Sequence, residues 1–126
     1  MVQLIDDRLT LNVGEVYEMA GTILNVMFKY NVTSEQLLEA LAPLVDDFAK
    51  LPGLQWKIWF MNEEESEAGG VYLFENQAAC SDYLSGPLAR IVTSHPALSD
   101  FIVKSFDVLE EPTAACRGPV GAFAHG

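Results

Sequence analysis

Six side chains in this 126-residue sequence are the candidates for chemistry: Asn25, Lys57, Trp59, Tyr72, Tyr83 and His95. Lys57 and Trp59 stand two apart in GLQWKIWF, residues 53–60, so on a β-strand they share a face. A lysine there can hold a bound anion, or sit at a sheet edge with its stem laid over apolar surface. Trp59, Tyr72 and Tyr83 each join apolar bulk to one polar handle, which suits a pocket for a flat ligand and equally an ordinary core. Asn25 stands among Leu24, Val26 and Met27, where a buried amide must either tie backbone together or meet a ligand. His95, in the tripeptide SHP, is the natural proton acceptor near neutral pH. Near a helix end it would instead cap exposed carbonyls.

Arrangements typical of cofactor chemistry are missing. His95, His125, Cys80 and Cys116 are scattered without ligand spacing, so no metal or haem site is expected. No GxGxxG or P-loop pattern occurs, and no Ser/His/Asp set can be assigned from spacing. The acidic run Glu63, Glu64, Glu65 and Glu67 reads as a solvated loop, with a weak cation site as the other reading. Eighteen acidic against seven basic residues leave a net charge of −11, which repels phosphate backbones and anionic lipid. Neither nucleic acid nor membrane is an expected partner. No apolar run approaches the ~18 residues of a membrane span, and MVQLIDDRLTLN carries acid where a secretory signal has base. The expected compartment is the cytoplasm, with both cysteines as free thiols.

The elements that would position these groups follow from periodicity. TILNVMFKY, residues 22–30, is rich in β-branched and aromatic types and predicts a strand. The spacing of Leu37, Leu41, Val45 and Phe48 predicts an amphipathic helix, opened by the capping-box pair Thr33 and Gln36 and bent at Pro43. The tryptophan strand runs to about Met61. NEEESEAGG then reads as a hairpin loop, with Gly69 and Gly70 at the start of a third strand, VYLFE. Asn76 caps a helix over QAACSDYL, and Pro87 opens a further turn. The last strand, FIVKSFDVL, starts at Phe101.

Strand, helix, strand, strand, helix, strand over residues 22–112 is the α+β ferredoxin-like βαββαβ pattern, an antiparallel sheet with its helices on one face. The strands are too apolar on both parities for the second face to meet water. A homodimer joined sheet to sheet, a dimeric α/β barrel, resolves this. By parity Trp56 shares its side with Leu54, Ile58 and Phe60, all apolar, and Trp59 shares its side with Gln55, Lys57 and Met61. A ligand is therefore expected on the Trp59 side, where polar groups accompany the aromatic wall. Residues 1–21 and 113–126 read as an N-terminal arm and a C-terminal tail.

With GLQWKIW, EAGGVYLFE and VKSFDV in this order, the chain resembles the YdhR-like monooxygenases of the dimeric α/β-barrel superfamily, over roughly residues 22–112. The resemblance implies a ferredoxin-like dimer with a ligand cavity between sheet and helices. It also implies oxidation of a small aromatic or polyphenolic compound by O2 with no cofactor, as in the antibiotic-biosynthesis monooxygenases. In that chemistry a bound phenol loses a proton and its anion reduces oxygen. The protein supplies a dry cavity and hydrogen bonds. On this reading His95 and Lys57 are the candidate catalytic residues, and Asn25, Trp59, Tyr72 and Tyr83 bind substrate. A non-catalytic ligand-binding dimer, or an isomerase or lyase on the same scaffold, is the alternative.

Overall fold

The computed structural model describes residues 21–120. Most of the N-terminal arm and the last six residues of the tail lie outside the described residues. Strand β1 (Thr22–Tyr30) leads through Thr33 into helix α1 (Ser34–Leu41). The Thr33 hydroxyl accepts from the Gln36 N–H at 3.1 Å while the Gln36 side chain accepts from the Thr33 N–H at 3.0 Å, a reciprocal cap. At Pro43 the missing backbone donor turns the helix into a 3-10 turn over Ala42–Leu44 before α2 (Val45–Ala49) resumes. Strands β2 (Leu54–Asn62) and β3 (Glu67–Phe74) form the expected hairpin. Helices α3 (Gln77–Leu84) and α4 (Pro87–Thr93) precede β4 (Leu98–Asp107), and a short α5 (Glu110–Ala115) follows. The sheet order is β2-β3-β1-β4 with every pair antiparallel. This is the ferredoxin-like arrangement.

Parity divides most of the sheet, Leu73 on the outer face and Val103 on the helix side being the exceptions. Leu24, Val26, Phe28 and Tyr30 of β1 are buried together with Ala68, Tyr72 and Phe74 of β3. They pack against Leu37, Phe48, Cys80, Tyr83, Leu88 and Val92 from the helices. Burial of each large apolar side chain contributes about 1.5–3 kcal/mol, so this one layer dominates the fold's stability. The opposite face carries Ile58, Ile102 and Phe106, 56%, 47% and 52% exposed. That apolar, unsatisfied face is the one the sequence reading assigns to a partner sheet.

Three details depart from the sequence reading. Leu54 pairs with Phe74 while Trp56 pairs with Leu73, so an irregularity falls between them. One extra residue reverses parity, and Leu54 joins the helix-side core instead of sharing Trp56's face. Strand β4 starts at Leu98 rather than Phe101, because a register shift opposite Met27 to Lys29 absorbs Asp100, whose φ is 53°. Gly69 and Gly70 lie inside β3, not at its start. A Cβ on Gly69 would meet the Val26 carbonyl oxygen, so β1 and β3 approach too closely there for any side chain.

The boundary expected at residue 112 falls inside α5. Beyond it the chain crosses the width of the sheet, from β4 at one edge to β2 at the other. There the Trp56 indole N–H donates to the Pro119 carbonyl at 2.8 Å, and Val120 is buried. Cys80 is buried and Cys116 exposed, both as free thiols.

Candidate functional site

On the helix side of the sheet Lys57 pairs with Tyr72, and Trp59 pairs with Gly70. Gly70 decides what Lys57 can do, since a Cβ there would stand 2.7 Å from Lys57 Cε. With that space open, the lysine stem folds down over the sheet. Its Nζ lies 3.3 Å from the ring centroids of both Phe48 and Trp59 and 4.4 Å from that of Tyr72. Phe48 comes from α2 and meets Trp59 edge to face at 5.2 Å. The amine thus sits in a three-walled aromatic cage.

Two influences act on this amine. Burial strips water from the ammonium and lowers the Lys57 pKa from 10.5 to about 7. The ring faces attract the charged form and pull the other way. No ion pair to Lys57 occurs among the described residues, whereas Lys29 has Glu67 at 3.5 Å. Near neutral pH both protonation states of Lys57 are accessible.

Behind the cage the Tyr72 and Tyr83 hydroxyls share a hydrogen bond of 3.0 Å in the buried core. Burial raises both tyrosine pKa values, with the two hydroxyls also acting on each other, so both stay neutral at physiological pH. Two hydroxyls joined by one bond leave one O–H proton for another acceptor. Tyr83 also lines a cleft of about 320 Å³ with Leu51, Pro52, Ala79 and Leu88, in which Asp82 is the only charged lining residue. That volume lies at the lower end for small-molecule sites. Trp59, 38% exposed, leaves the cage open to solvent along β2.

Of the six candidates, the fold gathers Lys57, Trp59, Tyr72 and Tyr83. It separates the other two from them. Asn25 pairs with Val71 and Lys104, which puts it on the face away from the helices. His95 accepts the Ala97 N–H on Nδ1 at 3.1 Å, and its carbonyl accepts from Leu98, closing the turn between α4 and β4. Leu98 pairs with Tyr30, six residues along β1 from Leu24, the neighbour of Tyr72. That is ~20 Å, at the opposite edge from Lys57, so His95 cannot exchange a proton with a ligand in the cage. Phe48 is the residue the chemical reading passed over. Its spacing marks it as helix core, and periodicity does not tell a cage wall from core. Among the described residues no group of three or more His, Cys, Asp or Glu side chains could hold a metal ion, and no helix is long and apolar enough to cross a membrane.

Residues 23–119 match the family described as "Putative mono-oxygenase ydhR". The chain belongs to this family. Among solved structures, SnoaB, a cofactor-independent oxygenase from Streptomyces nogalater, is 16% identical to this YdhR-family chain. It covers 73% of this chain and 99% of its own with a TM-score of 0.58. MhuD, a heme-degrader from Mycobacterium tuberculosis, is 15% identical over 71% and 97%, TM-score 0.57. A dimeric ferredoxin-like protein of unknown function from Thermobifida fusca is 19% identical over 74% and 96%, TM-score 0.56. At such identities the likeness establishes the fold alone. No curated protein matches the sequence.

Proposed function

We propose that this YdhR-family chain is a cofactor-independent monooxygenase that takes a small aromatic or polyphenolic substrate against Trp59 on the helix side of the sheet. The observation that carries the reading is the half-buried Lys57 amine in its aromatic cage, with no ion pair among the described residues. An amine whose neutral form is accessible near pH 7 can take a phenol proton. The result is a phenolate beside an ammonium against aromatic walls, where the attraction is stronger than in bulk water. The electron-rich anion then reduces O2. One oxygen atom enters a ring carbon as a carbonyl, and the other leaves as water with the two hydrogens that carbon loses, so atoms and electrons balance with no further reductant. The free O–H of the Tyr72–Tyr83 pair serves as hydrogen-bond donor to the anion. In this role Lys57 is the base, and Trp59, Tyr72 and Tyr83 bind substrate.

Two copies close sheet on sheet in the same proposal, covering Ile58, Ile102 and Phe106 and burying at least ~1,600 Å² in total. The setting is cytoplasmic. Oxygen uptake with a panel of hydroquinones and anthrones tests the function. One O2 consumed per carbonyl formed, without peroxide release and lost in Lys57→Met, is the expected result. Tight binding of the same compounds with no oxygen uptake would make the protein a ligand carrier instead.

A further inference from the structure

A lysine amine attacks carbon only through its free lone pair, which an ordinary exposed lysine keeps protonated at neutral pH. Three conditions release it: loss of water, absence of a carboxylate to hold the proton, and a stem fixed in place. Lys57 meets all three. Gly70 leaves room for the stem, Phe48, Trp59 and Tyr72 wall the amine, and no carboxylate of the described residues pairs with it. Lys29 is exposed and paired with Glu67, and Lys50 and Lys104 are exposed. The titratable groups facing the amine are Tyr72 and, behind it, Tyr83, while Asp46 and Asp47 of α2 are exposed.

We propose that Lys57 is a Schiff-base lysine that condenses with an aromatic aldehyde or ketone held flat against Trp59. The nitrogen lone pair attacks the carbonyl carbon as the C=O π bond breaks, and a proton passes from nitrogen to oxygen to give the carbinolamine. The C–O bond then breaks, its oxygen leaving as water with a second proton taken from solvent. The cationic iminium lies over the same ring faces that attract the ammonium. It releases a proton to solvent on becoming the neutral imine. Carbonyl plus amine gives imine plus water, with nothing oxidised or reduced.

The inference does not rest on oxygen chemistry, and the test keeps the two apart by running without oxygen. The whole chain is incubated under nitrogen with benzaldehyde or 2-naphthaldehyde and sodium cyanoborohydride near pH 7, then examined by intact mass and peptide mapping. The expected result is one arylmethyl group on the peptide holding Lys57, formed at least tenfold faster than on Lys29, Lys50 or Lys104 and slowing as the pH falls below 7. Lys57→Arg, which keeps the charge but cannot form an imine, should lose that label and retain the slow background at the other three. Labelling of the exposed lysines ahead of Lys57, or an unlabelled Lys57 peptide, overturns the proposal whatever the oxygen assay gives.

Discussion

Replacing Lys57 by methionine should stabilise the protein in a pH-dependent way. Methionine is unbranched and of similar length, so it fills the space the lysine stem occupies and keeps contact with Phe48 and Trp59. What it removes is the cost of burying an ammonium. The pKa falls from 10.5 in water to about 7 in the folded chain, roughly three and a half decades at about 1.4 kcal/mol each. The ceiling on that cost is therefore about 5 kcal/mol, and ring attraction of up to about 2 kcal/mol brings the expected value to between about 3 and 5. Below pH 7 both folded and unfolded chains carry the proton, and the folded state bears the whole cost. Between pH 7 and 10.5 the unfolded chain binds more protons than the folded one, so stability of the parent rises with pH. Above that window the cost is gone. Urea unfolding of parent and Lys57→Met, followed by far-ultraviolet circular dichroism at steps from pH 6 to 10, should show the variant ahead by about 3–5 kcal/mol at pH 6 and within about 1 kcal/mol of the parent at pH 10. A difference that stays constant across that range, or a methionine variant weaker at pH 6, would refute the buried-amine reasoning.

Tyr83→Phe leaves the Tyr72 hydroxyl buried without its partner and should cost about 1–3 kcal/mol, while Tyr72→Phe with Tyr83→Phe should cost less than the two single changes together in a double-mutant cycle. Gly70→Ala pushes a methyl into Lys57 Cε and should lower stability by about 1–3 kcal/mol near pH 10, where the lysine bears little burial cost, while abolishing the pH dependence that Lys57 confers, read from the same urea series. Ile58→Asp, on the face away from the helices, should yield a folded monomer by light scattering where the parent scatters as a dimer.

The topology was legible because each element carries its own period and its own stop signals, from the Thr33 cap to Pro87. The cage was partly legible for the same reason: Lys57 and Trp59 share a face by parity alone, and a regular hairpin brings Tyr72 beside them. What parity cannot give is a slip. The extra residue between Leu54 and Trp56 and the shift opposite Met27 are set by how neighbouring strands meet, which a single strand's pattern does not record. Asn25 and His95 drew notice through their chemical type, yet their distance from Lys57 depends on strand order and register. Phe48 and Gly70 had the opposite fate. One resembled any core aromatic and the other any turn glycine, because their role exists only through the lysine between them.

The bond from the Trp56 indole to the Pro119 carbonyl spans 63 positions of chain. A ribosome adding about 5–20 residues per second makes Pro119 roughly 3–13 seconds after Trp56. During that interval the hairpin of β2 and β3 can pair, yet its outer surface lacks the returning segment over it. The nascent chain is then at its stickiest, and the acidic tip of Glu63, Glu64 and Glu65 next to that hairpin gives neighbouring copies a mutual repulsion while they wait. Closing Pro119 onto Trp56 ends the exposure on that edge, so the clasp doubles as a timing mark for when a newly made copy becomes safe to meet another.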